Sequence, residues 1–262
     1  MEIIYTIIFG ILGTAIGSFL NVVIDRVPDE KSIVNPPSSC DACRHPLSWL
    51  DLFPVFSYIF LRGRCRYCGA KIPLRVFLVE LGTGILTGFL YVHFGFVWQL
   101  PVAIIYCGAL IAIALIDLHH QLIFNSIVFP AAFLALLVNF FVPDLFSLHN
   151  FLFGLLGAAV GSIFLLLVML LYLALRKREG MGLGDVYMAV MMGLMVGFPN
   201  IFVALMVAIL LGGITAIFLI AFKSKTGTDI IPFGDFLALG TIIALIWGTP
   251  ILHWYLRLVK LE

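Results

Sequence analysis

Two groups of side chains in this chain of 262 residues have the types and spacing to carry chemistry. The first is a cysteine quartet: Cys40 and Cys43 form one C-x-x-C pair, Cys65 and Cys68 form another, and 21 residues separate the two. Two short knuckles of this kind can close four soft thiolates on one tetrahedral ion, and zinc is the metal that suits them. Four protein sulfurs leave no open coordination position, so the metal is expected to be structural rather than catalytic. A redox C-x-x-C usually comes singly in a thioredoxin-like fold, and five clustered cysteines do not make a disulfide scaffold. Cys107, inside an apolar run, reads as a small core residue.

The second group is acidic. Between Val76 and Leu175 the only acids are Glu80, Asp117 and Asp144. Asp117 closes an apolar run at Leu115-Ile116 and precedes His119 and His120, while Asp185 closes Gly180-Met181-Gly182-Leu183-Gly184-Asp185 before another apolar run. Two aspartates on different helices at one membrane depth can share a proton, so that one activates water while the other protonates the leaving group. The glycines allow a helix or substrate backbone to come close to the carboxylate. The plainer alternative makes Asp185 an N-cap and Asp117 a helix end. Glu80 sits about one turn inside an apolar run, where an ionisable group is costly and marks function unless it merely pairs with Arg75. Asp144, after Pro143, reads as a solvated turn residue, and Asp235 as a cap of the last helix.

The elements that must position these groups follow from composition. The chain is 63% hydrophobic and 11% charged, which names a bilayer as its solvent. With about 20 apolar residues per span, eight spans are expected at 3–24, 76–93, 100–116, 122–142, 151–175, 186–198, 201–222 and 236–254. The first is too long for a signal-peptide core and has Glu2 in front of it, so it is expected to stay in the mature protein. The fold class expected is therefore an all-α polytopic membrane protein with about eight transmembrane helices and a small zinc-bound cytoplasmic loop domain. Its parts are a first helix over 1–24, a zinc-binding loop over 25–75 and a membrane core over 76–262. Of the 15 Lys and Arg, eight fall in the loop and none lies between Val76 and Leu175. An eight-span chain puts 13 of the 15 on one face, the cytoplasmic one by the positive-inside rule, with both termini outside. Net charge of +1 gives no reason to expect a nucleic-acid partner. Glycines at three- and four-residue spacing, Gly10, Gly13 and Gly17 or Gly154, Gly157 and Gly161, read as helix-packing faces.

Taken together, these residues resemble the prepilin peptidases, or type IV leader peptidases, of pilus, type II secretion and competence systems. Gly17-Ser18-Phe19-Leu20-Asn21-Val22-Val23-Ile24-Asp25-Arg26-Val27-Pro28 is similar to the family's first-span signature. The quartet with Leu61-Arg62-Gly63-Arg64-Cys65-Arg66 is similar to its cytoplasmic domain. Val79-Glu80-Leu81, Ile116-Asp117, Gly182-Leu183-Gly184-Asp185 and Ile231-Pro232-Phe233-Gly234 follow in family order. The resemblance implies that Asp117 and Asp185 are the catalytic pair of a GxGD-type aspartic peptidase. The substrate it implies is a prepilin or pseudopilin, cut after its basic leader at the cytoplasmic face of a bacterial inner membrane. It also implies that the new N-terminal amine is methylated from S-adenosylmethionine, with Glu80, Asn21 and Arg26 on the side of the methyl donor. The chain departs from the family in having Phe124-Asn125 where Pro-Asp is common, Tyr187 where Lys is common, and Asp235 where Pro is common. The competing reading is a transporter or scaffold with a zinc-bound docking loop, whose paired aspartates would carry a proton or cation. Transporters often show inverted repeats, and none is evident here.

Overall fold

Long apolar runs leave the backbone no water to bond with, so each must satisfy its own N–H and C=O groups, and helices are the result. The computed structural model describes residues 2–142, 150–177, 182–222 and 232–259. Asp144, Gly180, Met181, Ile231 and the basic residues Arg178, Lys223, Lys225 and Lys260 lie outside them. Among the described residues the elements are helices α1 (Glu2–Arg26), α2 (Phe56–Phe60), α3 (Leu74–Phe94), α4 (Gln99–His120), α5 (Asn125–Phe141), α6 (Asn150–Arg176), α7 (Leu183–Val196), α8 (Asn200–Ala221) and α9 (Gly234–Leu258). Two isolated antiparallel bridges join Ser39 to Pro46 and Arg64 to Lys71.

Each of the eight runs expected to span the membrane is helical, but eight spans are not borne out. Six of them, α1, α3, α4, α6, α8 and α9, are long and apolar enough to cross a membrane, whereas α5 with 17 residues and α7 with 14 are shorter. At 1.5 Å per residue these two reach roughly 26 and 21 Å against a hydrocarbon core of about 30 Å. The helix ends have local causes. Gly95 and Gly197 hold φ of +74° and +69° at the C-termini of α3 and α7, a left-handed turn that glycine takes without strain. Pro73 sits just before α3, where its missing N–H costs nothing.

The chain divides into two compact units, Met1–Gly108 and Ala109–Glu262. In the first, α1 packs along α3 through small residues. Gly17 lies against the Glu80 backbone and Gly13 against Thr87, as expected of these glycines, and Gly84 lies against Thr14. Cys107 is buried in an apolar setting. In the second unit, α5, α6, α8 and α9 pack against α7, and Met191 to Val196 of that short helix are all buried. A helix enclosed by protein on most sides needs less length than one facing lipid. A close approach joins α6 and α7, where a Cβ on Gly193 would collide with the backbone of Gly157 and Ala158.

Gly193→Ala should therefore push α6 from α7 and destabilise the second unit by about 1–3 kcal/mol, the usual cost of overpacking. Gly213→Ala, which meets nothing within 4 Å, should leave stability unchanged or raise it. Thermal unfolding of the two variants in detergent checks this, and equal behaviour of the two would refute it.

Candidate functional site

The four cysteines converge. Cys40 and Cys43 flank one tight turn, in which Arg44 N–H donates to Cys40 O, and Cys65 and Cys68 flank another, in which Gly69 N–H donates to Cys65 O. Their four sulfur atoms all lie within 4.8 Å of one another, and Cys40 Sγ is 3.8 Å from Cys68 Sγ. A zinc–sulfur bond of about 2.3 Å in a tetrahedron puts the sulfurs about 3.8 Å apart, so the quartet could hold such an ion. Backbone N–H groups of Cys43 and Ala42 bring the Cys40 thiol down to about 7. The Ala70 N–H pulls Cys68 down too, but desolvation and the three neighbouring sulfurs push it up to about 11. Four thiolates this close repel one another, and a divalent cation removes that conflict.

A carboxylate that the sequence did not single out ties the second knuckle to the chain that follows the first. Asp51, only 4% exposed at its side chain, accepts from Ser48 N–H at 3.0 Å and Ser48 Oγ at 2.7 Å. It also accepts from Arg66 Nε at 2.7 Å and Tyr67 Oη at 3.1 Å, both inside the second C-x-x-C. His45 of the first knuckle stacks on Tyr67 with centroids 3.7 Å apart. Burial pushes Asp51 up, yet the Ser48, Arg66 and Tyr67 donors outweigh it and hold the carboxyl at about 2. Its folded value is depressed from 3.8, so its contribution to loop stability is complete above that pH and disappears as pH falls through about 2. The Ser48-x-x-Asp51 spacing was the available signal, since such pairs often bond locally.

Glu80 and Asn21 face each other's helices in the first unit. Glu80 Oε2 accepts the Val55 N–H at 2.7 Å, and Ser18 of α1 also bonds the Glu80 side chain. Asn21 Nδ2 donates to Gly17 O at 3.2 Å and across to Val76 O at 3.1 Å. Its buried Oδ1 has no hydrogen-bond partner among the described residues. Arg26 Nη1 donates to Ser32 O at 2.9 Å, which turns the chain after α1. Arg75 pairs with Asp25 rather than with Glu80. These contacts give Glu80 an anchoring job between α1, α3 and the loop, which sequence spacing alone did not disclose.

In the second unit Asp117 and Asp185 are both buried, at 5% and 9% exposure. Asp117 lies three residues before the end of α4, and its Oδ2 accepts the Gly234 N–H at 2.8 Å. The Asp235 N–H also bonds this carboxyl group. Asp185 is in the first turn of α7, whose N-cap is Gly182, so Asp185 does not cap its helix. The two carboxylates are near enough for their charges to interact, and Asp235 is near enough to interact with Asp117 as well. Asp235 itself sits in the first turn of α9, where it accepts the Phe236 N–H at 3.0 Å, and the residue before that helix is Phe233. A Cβ on Gly234 would meet Asp117 Oδ2 at 2.7 Å and Ile123 Cδ1 at 3.0 Å, so only glycine brings this N–H to the carboxylate. The sequence offered Gly234 as part of a recurrent string, without the donor role. Among the departures, Tyr187 packs edge-on against Phe129 of α5 with centroids 5.7 Å apart, and Phe124 and Asn125 form the entry to α5.

Comparison with known proteins matches each half of this arrangement. Residues 11–94 match the Bacterial Peptidase A24 N-terminal domain, and residues 104–217 match the Type IV leader peptidase family. A Prepilin leader peptidase/N-methyltransferase of Pseudomonas aeruginosa is 34% identical over 271 residues, covering 94% of this chain and 92% of the relative. Proteins of the same description from Aeromonas hydrophila and Myxococcus xanthus are 32% identical over 265 residues and 34% identical over 226. The Aeromonas match covers 92% of this chain and 90% of the relative, the Myxococcus match 86% and 66%. No solved structure matches the chain. With a cysteine-bearing N-terminal unit, a buried aspartate pair, and likeness over nearly its whole length to proteins of one kind, this multi-pass membrane chain belongs to the type IV leader peptidase family.

Proposed function

We propose that Asp117 and Asp185 hydrolyse the bond between the basic leader and the mature part of a prepilin or pseudopilin. The observation that carries this reading is the meeting of two buried carboxylates from α4 and α7, with the N–H groups at the start of α9 directed at one of them. One carboxylate takes a proton from water as it attacks the scissile carbonyl while the other carboxyl group gives its proton to the carbonyl oxygen; as the diol collapses, the first passes the water's proton to the departing amine and the second takes its own proton back. The Gly234 and Asp235 N–H groups fix the orientation of Asp117 for that exchange, so no reorganisation is needed as charge moves. Family membership speaks against the transporter reading. The basic loop faces the cytoplasm of a bacterial inner membrane, where a leader rich in Lys and Arg would be held back on the same side. Both termini would then lie outside.

The second activity of the family, methylation of the new N-terminal amine, is assigned to the first unit. S-adenosylmethionine supplies the methyl group there. Glu80, Asn21 and Arg26 are the residues proposed for its side, and the unpartnered Asn21 Oδ1 is a buried acceptor that suits a donor on a ligand. Zinc in the cysteine quartet stabilises the loop and has no part in hydrolysis, because four thiolates leave no position for water.

Asp117→Asn and Asp185→Asn should each lower leader cleavage by at least about 10⁴-fold, and the double variant should be little worse, because the pair acts as one unit. Cleavage of a prepilin in liposomes, alongside a melting curve showing intact protein, measures this. Near-normal cleavage by either variant would defeat the aspartic mechanism.

Metal analysis of reduced protein should return one zinc per chain, and Cys40→Ser or Cys65→Ser should release it. The loop then opens to proteases while the membrane helices persist, since lipid and helix packing hold them. Protein that binds no zinc would overturn the assignment.

Glu80→Gln should reduce methylation while leader removal stays nearly intact. Glutamine keeps an acceptor for the Val55 N–H, so the anchor survives while the charge goes. Mass spectrometry of the processed pilin reads both activities, and parallel loss of the two would leave Glu80 with the anchoring role alone.

A further inference from the structure

The segment from Leu52 to Leu61, expected to belong to a cytoplasmic loop, is apolar and is held against the membrane helices. Val55 N–H bonds Glu80 of α3 at 2.7 Å, and Tyr58 of α2 stacks on Phe77 of α3 with centroids 5.0 Å apart. Phe77 and Glu80 come three and six residues after the start of α3, or roughly 5 and 9 Å along its axis. That is the depth to which interfacial amphipathic elements sink below the headgroups. The outward face of the segment is apolar: Phe53, Phe56, Ile59 and Phe60 are exposed, Phe60 by 82%. Water is a poor neighbour for such a cluster.

Beside it lies a concentration of positive charge. A cleft of about 600 Å³ is lined by Tyr58, Arg62, Arg64, Lys71, Pro73 and Leu74, so it opens at the first turn of α3. Arg64 and Lys71 stand directly opposite each other on an antiparallel bridge, an arrangement that like charges destabilise unless an anion lies between them. Lys31, Arg66 and Arg75 all have acidic partners. Among the described residues, Arg62, Arg64 and Lys71 have none. On the other side of α2 a second cleft, of about 350 Å³, is walled by Leu50, Phe53, Phe56, Phe60 and Leu61.

We propose that the zinc-binding unit sits in the membrane interface and binds an anionic phospholipid there, its phosphate between Arg62, Arg64 and Lys71 and an acyl chain along the Phe53, Phe56 and Phe60 face of α2. Charge complementarity selects the occupant: the cations face an anionic headgroup layer, and the aromatic face reaches the depth of the acyl boundary. The proposal rests on the chain's being a membrane protein and not on its catalytic residues. Its failure would leave the aspartate reading untouched.

The test uses the full-length protein in nanodiscs of mixed phosphatidylcholine and phosphatidylglycerol. With p-benzoylphenylalanine in place of Phe60, irradiation should yield phospholipid adducts, and the same substitution at Asp41, exposed in the first knuckle, should yield none. Cross-links from position 60 to protein instead of lipid would overturn the proposal and make the face a protein contact. By native mass spectrometry the protein should retain phosphatidylglycerol over phosphatidylcholine. The triple variant Arg62→Gln, Arg64→Gln, Lys71→Gln should weaken that preference by about fivefold per lost cation, roughly 100-fold in all, with zinc content unchanged as evidence that the knuckles remain folded. Equal retention of the two lipids would sink the idea. So would displacement of phosphatidylglycerol by excess inorganic phosphate with the lipid adduct at position 60 lost, which would mark a site for free phosphate.

Discussion

A carboxylate taken out of water is stable only where the protein supplies what water would have given it, and this constraint orders both units of the molecule. Glu80 is met by the Val55 N–H and by Ser18. Asp117 is met by the N–H groups at the opening of α9. In each case one donor is backbone at the end of a helix or in a loop, where N–H groups are not already committed to a helical ladder. The acids of the membrane core therefore decide which loop or helix end must come to them, and the surrounding helices have to pack so as to let it.

Glycine makes that packing possible. Lipid tails are as apolar as leucine side chains, so helices in a bilayer gain most from contacts close enough for backbones to touch. Gly193 brings α7 onto α6, Gly240 brings α9 onto Ala204 of α8, and Gly17 brings α1 onto the Glu80 turn of α3. The first encloses α7, a helix too short to be an independent span, and so carries Asp185 into a buried position.

The cysteine-bearing loop solves a different problem. It is too short to bury a core, and it is held by a cysteine quartet that could close on a metal ion and by Asp51, which ties the residues between Cys65 and Cys68 to Ser48. With the aromatics freed from core duty, Phe53, Phe56 and Phe60 point outward. A loop that hides little of its apolar surface can exist beside a bilayer without aggregating, because the bilayer covers what the loop does not.

Run length and spacing by themselves determined the eight apolar helices, the cysteine quartet and the placing of Asp117 and Asp185 at the edges of apolar runs. These are local properties: burial in lipid demands an unbroken run, and a tetrahedral ion demands two short C-x-x-C turns. Helix limits were legible to within a few residues, as in the continuation of α1 to Arg26 and of α9 to Leu258. Only the tertiary structure decided that α5 and α7 stop short of a full span, that Asp185 lies in a first turn rather than at a cap, and that Asp51 ties Arg66 and Tyr67 to Ser48. It alone joined Gly234 to Asp117 and Val55 to Glu80, partners 117 and 25 residues apart. The physical reason is the same in each case. A hydropathy run reports the solvent a segment prefers, whereas a hydrogen bond between distant segments depends on how closely their helices approach, and that distance is set by packing of the whole unit.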